Sequence, residues 1–170
     1  MEPRLNVITL AVADLERALA FYRSLGLESK GIIGSEWTDE KTGANGAIAM
    51  FKLDGGLILN LYPRVDLAKD AAIAAGTPQS GELSLAQLVR SCDEVDRLLK
   101  KAASAGATVT PAHDRAWGIY SGYFRDPDGH LGRSSGARTE LHRKRQLTPR
   151  LQAAVASRRC VVPKDVVATR

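Results

Sequence analysis

The sequence predicts an α+β fold built from two βαβββ modules that together form a mixed, curved sheet around a concave cleft. Three observations carry this. The chain twice runs strand, helix, then strands; its halves repeat at an offset of 80 residues; and each half ends near an Asp-Gly turn. The offset superposes Asp14 on Glu94, Arg17 on Arg97, Leu19 on Leu99, Ser24 on Ser104 and Gly26 on Gly106. Chance gives about one identity over such a window, so the repeat reads as a duplicated module.

Leu5–Val12 is β-branched and apolar, a strand. Asp14 is a good helix N-cap, and Leu15, Ala18, Leu19, Phe21, Tyr22 and Leu25 follow at helical spacing up to Gly26. Residues 27–34, 46–53 and 57–62 read as three more strands, the last two joined at Asp54-Gly55-Gly56. The polar stretch 35–45 between them is a loop that contains Trp37. Alternation places Ile8, Leu10, Val12, Leu57, Leu59 and Leu61 under the helix, and Ile58, Asn60 and Tyr62 on the cleft side. Residues 63–82 form an Ala-rich linker with a turn or two of helix. The second module then takes a strand over 83–92, a helix that Asp93 or Glu94 begins and Gly106 ends, a short strand over 107–110, a loop over 111–117 and a strand over 118–125. Asp126-Pro127-Asp128-Gly129 is a tight turn: Pro127 fixes φ, Gly129 accepts positive φ, and the Asp side chains bond local amides. His130 is expected to face solvent there.

The 170 residues suffice for one cored domain, or two small modules sharing a core. The net charge of +5 invites a nucleic-acid reading, but its distribution argues against one. Residues 131–170 hold ten Lys/Arg and two acids, a balance of +8, so residues 1–130 carry 5 − 8 = −3. The patterned body therefore lacks a footprint for a phosphate backbone. Nothing approaches the length of a membrane span, and there is no signal-peptide layout. Cys92 and Cys160 have no paired spacing, which suggests a reduced, cytoplasmic setting.

Residues 7–17 (Val-Ile-Thr-Leu-Ala-Val-Ala-Asp-Leu-Glu-Arg), Phe21-Tyr22-Arg23, Leu25-Gly26-Leu27, Gln87–Asp96 and the Tyr-Phe-Arg-Asp-Pro-Asp-Gly-His run at 123–130 together resemble the vicinal oxygen chelate superfamily. Glyoxalase I, extradiol dioxygenases and bleomycin-resistance proteins are its members. The resemblance covers about residues 4–131 and implies a glyoxalase-like fold over 1–131, with modules at about 4–62 and 83–131. It also implies a homodimer, with modules paired within or between chains. Family enzymes hold a divalent metal on four side chains, the first lying seven residues before the helix-capping Asp. Those positions correspond here to Val7, Asn60, Gln87 and Arg133. Valine cannot ligate, the amides are weak neutral donors, and arginine repels a cation, so no metal cofactor is expected. His113, beside Asp114 in the loop over the cleft, is a candidate substrate contact or acid/base.

The resemblance breaks after Leu131. The family continues with an aromatic, an acid and apolar alternation such as Trp-Glu-Val-Val-Trp, where this chain reads Gly132-Arg133-Ser134-Ser135-Gly136. The codons TGG GAG GTC GTC TGG, losing their first base, read Gly-Arg-Ser-Ser-Gly. Residues 132–170 are thus expected to be an out-of-frame basic tail without stable fold, with the last strand lost. A helix over 147–158 is the exception allowed.

The function this implies is a bleomycin-resistance-like small-molecule binding protein, acting without metal, nucleic acid or membrane. Its ligand contacts are expected at Thr9, Asn60, Tyr62, Gln87, Trp37, Trp117 and Tyr120: amides and hydroxyls for orientation, aromatics for area. The alternative is a metal-dependent lyase or dioxygenase of the same superfamily with displaced ligands. Ser91 and Ser121 have no nucleophile–base partners visible in the sequence.

Overall fold

Alternation along the first strand decides how the first module is layered. The structure, a computed structural model, describes residues 5–77, 83–115 and 118–137. Strand β1 (Val7–Val12) is followed by helix α1 (Leu15–Ser24) and strands β2 (Ile32–Ile33), β3 (Ile48–Lys52) and β4 (Ile58–Pro63). The sheet order is β1-β4-β3-β2, with β1 parallel to β4 and the other pairs antiparallel. Leu10, Val12, Ala49, Phe51, Leu59 and Leu61 are buried beneath Ala18, Leu19, Phe21 and Tyr22 of α1. Ile8 packs against that core and Leu57 is half-buried, so the expected register holds. Each such aliphatic side chain contributes about 1.5–3 kcal/mol when fully buried. Asp14 caps α1 by accepting from the Arg17 N–H at 3.0 Å. Within the expected linker, α2 (Arg64–Asp70) follows β4 directly.

The second module runs β5 (Ser84–Val89), α3 (Cys92–Ser104), β6 (Thr108–Val109), β7 (His113–Asp114), β8 (Ile119–Arg125) and β9 (Leu131–Ala137). Its order is β5-β9-β8-β6, with β7 also on β8 and β5 parallel to β9. The modules thus form two separate mixed sheets of four and five strands rather than one continuous sheet. Two further corrections follow. The stretch 111–117, read as a loop, contains the short strand β7. The last strand is present: β9 extends through Ala137, past the boundary expected at 131, with β5 on one side and β8 on the other. Its Gly-Arg-Ser-Ser-Gly sequence pairs because ladder bonds come from the backbone, which any residue but proline can supply. Residues 138–170, including the helix expected over 147–158, lie outside the described residues.

The Asp-Pro-Asp-Gly turn fastens the second module to the first. Gly129 has φ 88°, the left-handed conformation this turn requires. Asp128 Oδ1 accepts from the Ala13 N–H at 2.7 Å and from Arg17 at 3.0 Å, next to the N-terminus of α1. Tyr22 of α1 donates its hydroxyl to Asp126 at 2.8 Å. Phe124 lies 6.3 Å from Phe21, ring centre to ring centre, and joins Leu85 in packing on the first module's core. Among the described residues, no helix is long and apolar enough to cross a membrane.

Candidate functional site

The open face of the first sheet carries Val7, Thr9, Ile58, Asn60 and Tyr62, because registered neighbours β1 and β4 pair Val7 with Ile58 and Thr9 with Asn60. Thr9 is exposed. Asn60 Oδ1 is buried and has no hydrogen-bond partner among the described residues. The Tyr62 hydroxyl donates to the Asn45 carbonyl at 2.8 Å, which ties β4 to the 35–45 loop. Burial, then the charges of Asp70, Asp66 and Asp39, push the Tyr62 hydroxyl pKa up. Trp37 in that loop is 58% exposed, held by its backbone through the Gly34 carbonyl and the Gly46 N–H.

In the second module the structure moves two candidates off the open face. Gln87 is in register with Ser134, and Val89 with Gly136, against which Ser91 and Val95 of the α3 side lie. Gln87 therefore belongs to the helix-bearing face. The reason is the helix start. Ser91, not Glu94, caps α3, accepting from the Glu94 N–H at 3.2 Å while Glu94 accepts from the Arg90 N–H at 2.7 Å. That moves the strand equivalence by three residues, an odd number, which reverses the face. Counting seven residues back from the observed cap gives Ser84 in place of Gln87. Tyr120 also sits on the helix side: it pairs with Gly136 and its hydroxyl donates to Asp96 of α3 at 2.9 Å. Trp117 lies outside the described residues.

Among the described residues, Thr9, Asn60 and Tyr62 thus share the open face of the first sheet, while Gln87 and Tyr120 stand on the helix-bearing face of the second. Between the modules is a cleft of about 750 Å³, with Tyr22, Leu59, Gln87, Leu98, Phe124 and Arg133 in its wall. Thr9, Asn60, Tyr62, Trp37 and Tyr120 are absent from that wall. His113 stands exposed on β7, its Nδ1 3.5 Å from the Pro111 carbonyl. His130, expected to face solvent, turns inward instead. Its Nδ1 donates to Asp126 Oδ2 at 2.8 Å, and the backbone N–H groups of Asp128 and His130 donate to Oδ1. Burial pushes the Asp126 pKa up, but the bond and charge of His130, with the Tyr22 hydroxyl and the backbone bond, outweigh it and hold the carboxyl below its usual range.

At the positions where a family metal would bind stand Val7, Asn60, Ser84 and Arg133: no donor, a neutral amide, a hydroxyl and a cation. Among the described residues, three or more His, Cys, Asp or Glu side chains do not gather anywhere in metal-binding proximity. These side chains do not fit a divalent metal.

A duplicated α+β module, with an open sheet face in each half, defines the class of fold. The chain belongs to the glyoxalase/bleomycin resistance protein/dioxygenase superfamily, whose model matches residues 4–132. It is 30% identical over 130 residues to metallothiol transferase FosB of Shouchella clausii, covering 75% of each chain. A glyoxalase-related enzyme from Fulvimarina pelagi superposes with a TM-score of 0.64 at 27% identity, over 79% of this chain and 88% of that one. Fosfomycin resistance protein FosX from Listeria monocytogenes, solved with Mn(II) and 1S,2S-dihydroxypropylphosphonic acid, superposes at TM-score 0.57 and 24% identity. That match covers 85% of this chain and 98% of the other.

Proposed function

We propose that this chain is a small-molecule binding protein of the bleomycin-resistance type that holds its ligand without a metal. The observation that carries the reading is the donor set at Val7, Asn60, Ser84 and Arg133. The buried, unpartnered Asn60 Oδ1 adds an acceptor that a ligand N–H or O–H would satisfy. The protein would act in the cytoplasm as a homodimer. Val7, Met50 and Leu88, at 49%, 37% and 83% exposure, supply apolar surface of the kind a second copy covers. A second reading, a metal-dependent lyase or dioxygenase with displaced ligands, draws on the relatives, among them a metallothiol transferase and a protein solved with Mn(II). Elemental analysis of protein purified without chelator separates the two, combined with ligand screening by thermal shift with and without EDTA. Sub-stoichiometric metal and EDTA-insensitive shifts are expected. Near-stoichiometric zinc, nickel, iron or manganese, with binding lost on chelation, would give the enzyme reading the lead.

A further inference from the structure

Three steps in the chain place glycine directly after Asn or Asp: Asn45-Gly46, Asp54-Gly55 and Asp128-Gly129. At such a step the glycine amide nitrogen can attack the carbonyl carbon of the preceding side chain and close a five-membered succinimide, because glycine has no Cβ to crowd the approach. Closure needs a side chain free to swing, an amide nitrogen free to meet it, and room for the ring. The fold grants these at one step and withholds them at two.

Asn45 is held at both ends. Its Oδ1 accepts from the Ala47 N–H at 2.8 Å, and its Nδ2 donates to the Ser35 carbonyl at 3.4 Å. The Gly46 N–H donates to the Trp37 carbonyl at 2.9 Å, and a Cβ on Gly46 would stand 2.8 Å from the Gly34 carbonyl oxygen. Asp128 is held as firmly. Its side chain is 2% exposed, its Oδ1 accepts from the Ala13 N–H and from Arg17, and the Gly129 N–H donates to the Asp126 carbonyl at 2.9 Å. Asp54 differs on every count. It opens the turn between β3 and β4 and is exposed. Among the described residues its carboxylate takes part in no hydrogen bond or ion pair. The bonds that close the turn run from the Gly56 N–H to the Leu53 carbonyl at 3.2 Å and from the Leu53 N–H to the Leu57 carbonyl at 2.8 Å; the Gly55 N–H lies outside them. A Cβ on Gly55 or Gly56 would meet nothing within 4 Å, so the turn has room, and two successive glycines let it swivel.

We infer that Asp54 is a site of covalent modification in the folded protein: it isomerises to isoaspartate through a succinimide with Gly55, and the product is a substrate for an enzyme that methylates isoaspartyl α-carboxylates. The Gly55 nitrogen bonds to Asp54 Cγ; its proton and the hydroxyl of the protonated carboxyl leave as water. Water then opens the ring. Attack at Cγ restores aspartate, whereas attack at the main-chain carbonyl of Asp54 routes the chain through Cγ and frees the α-carboxylate. One water leaves and one returns, and nothing is oxidised or reduced. The product's main chain is one atom longer between Lys52 and Ile58, which are registered partners in β3 and β4. Asp54 also stands in the wall of the cleft between the modules, beside Lys52, so the modification moves a negative charge from side chain to backbone there. This site is independent of which ligand the protein binds.

In an unfolded chain Asn45 reacts first. Its amide expels ammonia directly, while a carboxyl ionised at neutral pH must be protonated before it can expel water. The fold reverses that order, and the reversal is the test. Full-length protein is incubated at neutral pH in native buffer and in guanidinium chloride, then digested with trypsin. The three steps fall on separate peptides, residues 42–52, 53–64 and 126–133. Isoaspartate is read as a chromatographic shift at unchanged mass and as methyl uptake from an isoaspartyl methyltransferase; reaction at Asn45 is read as a mass gain. In native buffer, peptide 53–64 should accumulate isoaspartate severalfold faster than 126–133, with 42–52 unchanged. In guanidinium chloride, 42–52 should lead. Asp54→Glu, which would need a six-membered ring, should lose the native signal from 53–64 and keep the urea midpoint. A native 53–64 peptide as unmodified as 126–133 overturns the inference. So does 42–52 leading in native buffer, or a methylation signal in 53–64 that persists in Asp54→Glu.

Discussion

Replacing Tyr22 by Phe deletes one oxygen from the junction between the modules. That hydroxyl donates to Asp126, a carboxylate 5% exposed, at 2.8 Å. Burial, then the Asp126 charge, raise the tyrosine's pKa far above ordinary pH, so it remains a donor throughout. A hydrogen bond to a charged group contributes about 1.5–3 kcal/mol. Asp126 keeps His130 on the same oxygen and two backbone N–H groups on the other, so it is not stranded entirely. A loss of about 2 kcal/mol is expected, and with a urea m-value of about 2 kcal/mol per molar the midpoint falls by about 1 M.

The same carboxylate sets a pH signature. Its folded-state pKa is depressed, so the unfolded chain binds a proton more readily. Its contribution is complete above the unfolded value of about 3.9 and is lost as pH falls through the lower folded-state pKa. Asp126→Asn should therefore lower stability at neutral pH and flatten the loss below about pH 4. Urea melts of both single variants and the double variant, at pH 7 and across the acid range, measure the coupling. A Tyr22→Phe midpoint indistinguishable from wild type, or an acid profile that Asp126→Asn leaves unchanged, would refute this account of the junction.

Two substitutions in β9 should move stability in opposite directions. Ser134 is fully buried with its Oγ unpartnered among the described residues, so Ser134→Ala should raise stability by about 1 kcal/mol, read as a higher urea midpoint. A lower midpoint would show that the hydroxyl has a partner. Gly132→Ala should cost about 1–3 kcal/mol, because a Cβ there meets the Phe124 ring and drives it off Phe21. An unchanged melting curve would mean that the ring swings away freely.

The first module was legible because its signals agree. Leu10, Val12, Leu59 and Leu61 alternate cleanly, and Asp14 opens a helix with a continuous apolar stripe. The second module's strand was legible as a strand but not in its facing. Ser-Leu-Ala-Gln-Leu-Val has apolar residues on both sides, so the face depended on where α3 begins. Glu94 offered itself as the cap by analogy with Asp14, while Ser91 was the true one, with Glu94 accepting from the Arg90 N–H just before it. Tyr120 was misplaced for a related reason: both faces of β8 mix aromatic and small residues. The convergence of Arg115 and Arg133 on the Ser121 hydroxyl left no local signal, since these residues come from the end of β7, from β9 and from β8 and meet only through register. The inward turn of His130 is made by Asp126, four residues earlier, whose Oδ2 also accepts from Tyr22 of α1.

Strand β9 also bears on the expectation that a one-base shift lies behind residues 132–136. Its backbone is paired on both sides, so the sheet would capture any segment free of proline at that point. Misfit should then show in side chains, and it is the side chains that are unsatisfied: Ser134 Oγ, Ser135 Oγ and Arg133 Nε all lack partners among the described residues. The family match stops at residue 132, while the strand continues to Ala137. The combined replacement Gly132→Trp, Arg133→Glu, Ser134→Val, Ser135→Val and Gly136→Trp tests the origin physically. The two valines bury apolar surface where hydroxyls now sit, a gain of about 1.5–3 kcal/mol each. Opposing this, Phe124 must vacate the space beside residue 132, and a Cβ at 136 starts 2.7 Å from the Ser91 carbonyl oxygen. Overpacking costs about 1–3 kcal/mol at each of these two positions, so the balance is a gain only where Phe124 and the turn before α3 adjust. The urea midpoint should rise. Equal midpoints would leave the shifted frame without physical support. Sequencing the source DNA without finding a reading frame that continues the family strand would do the same at the level of the gene.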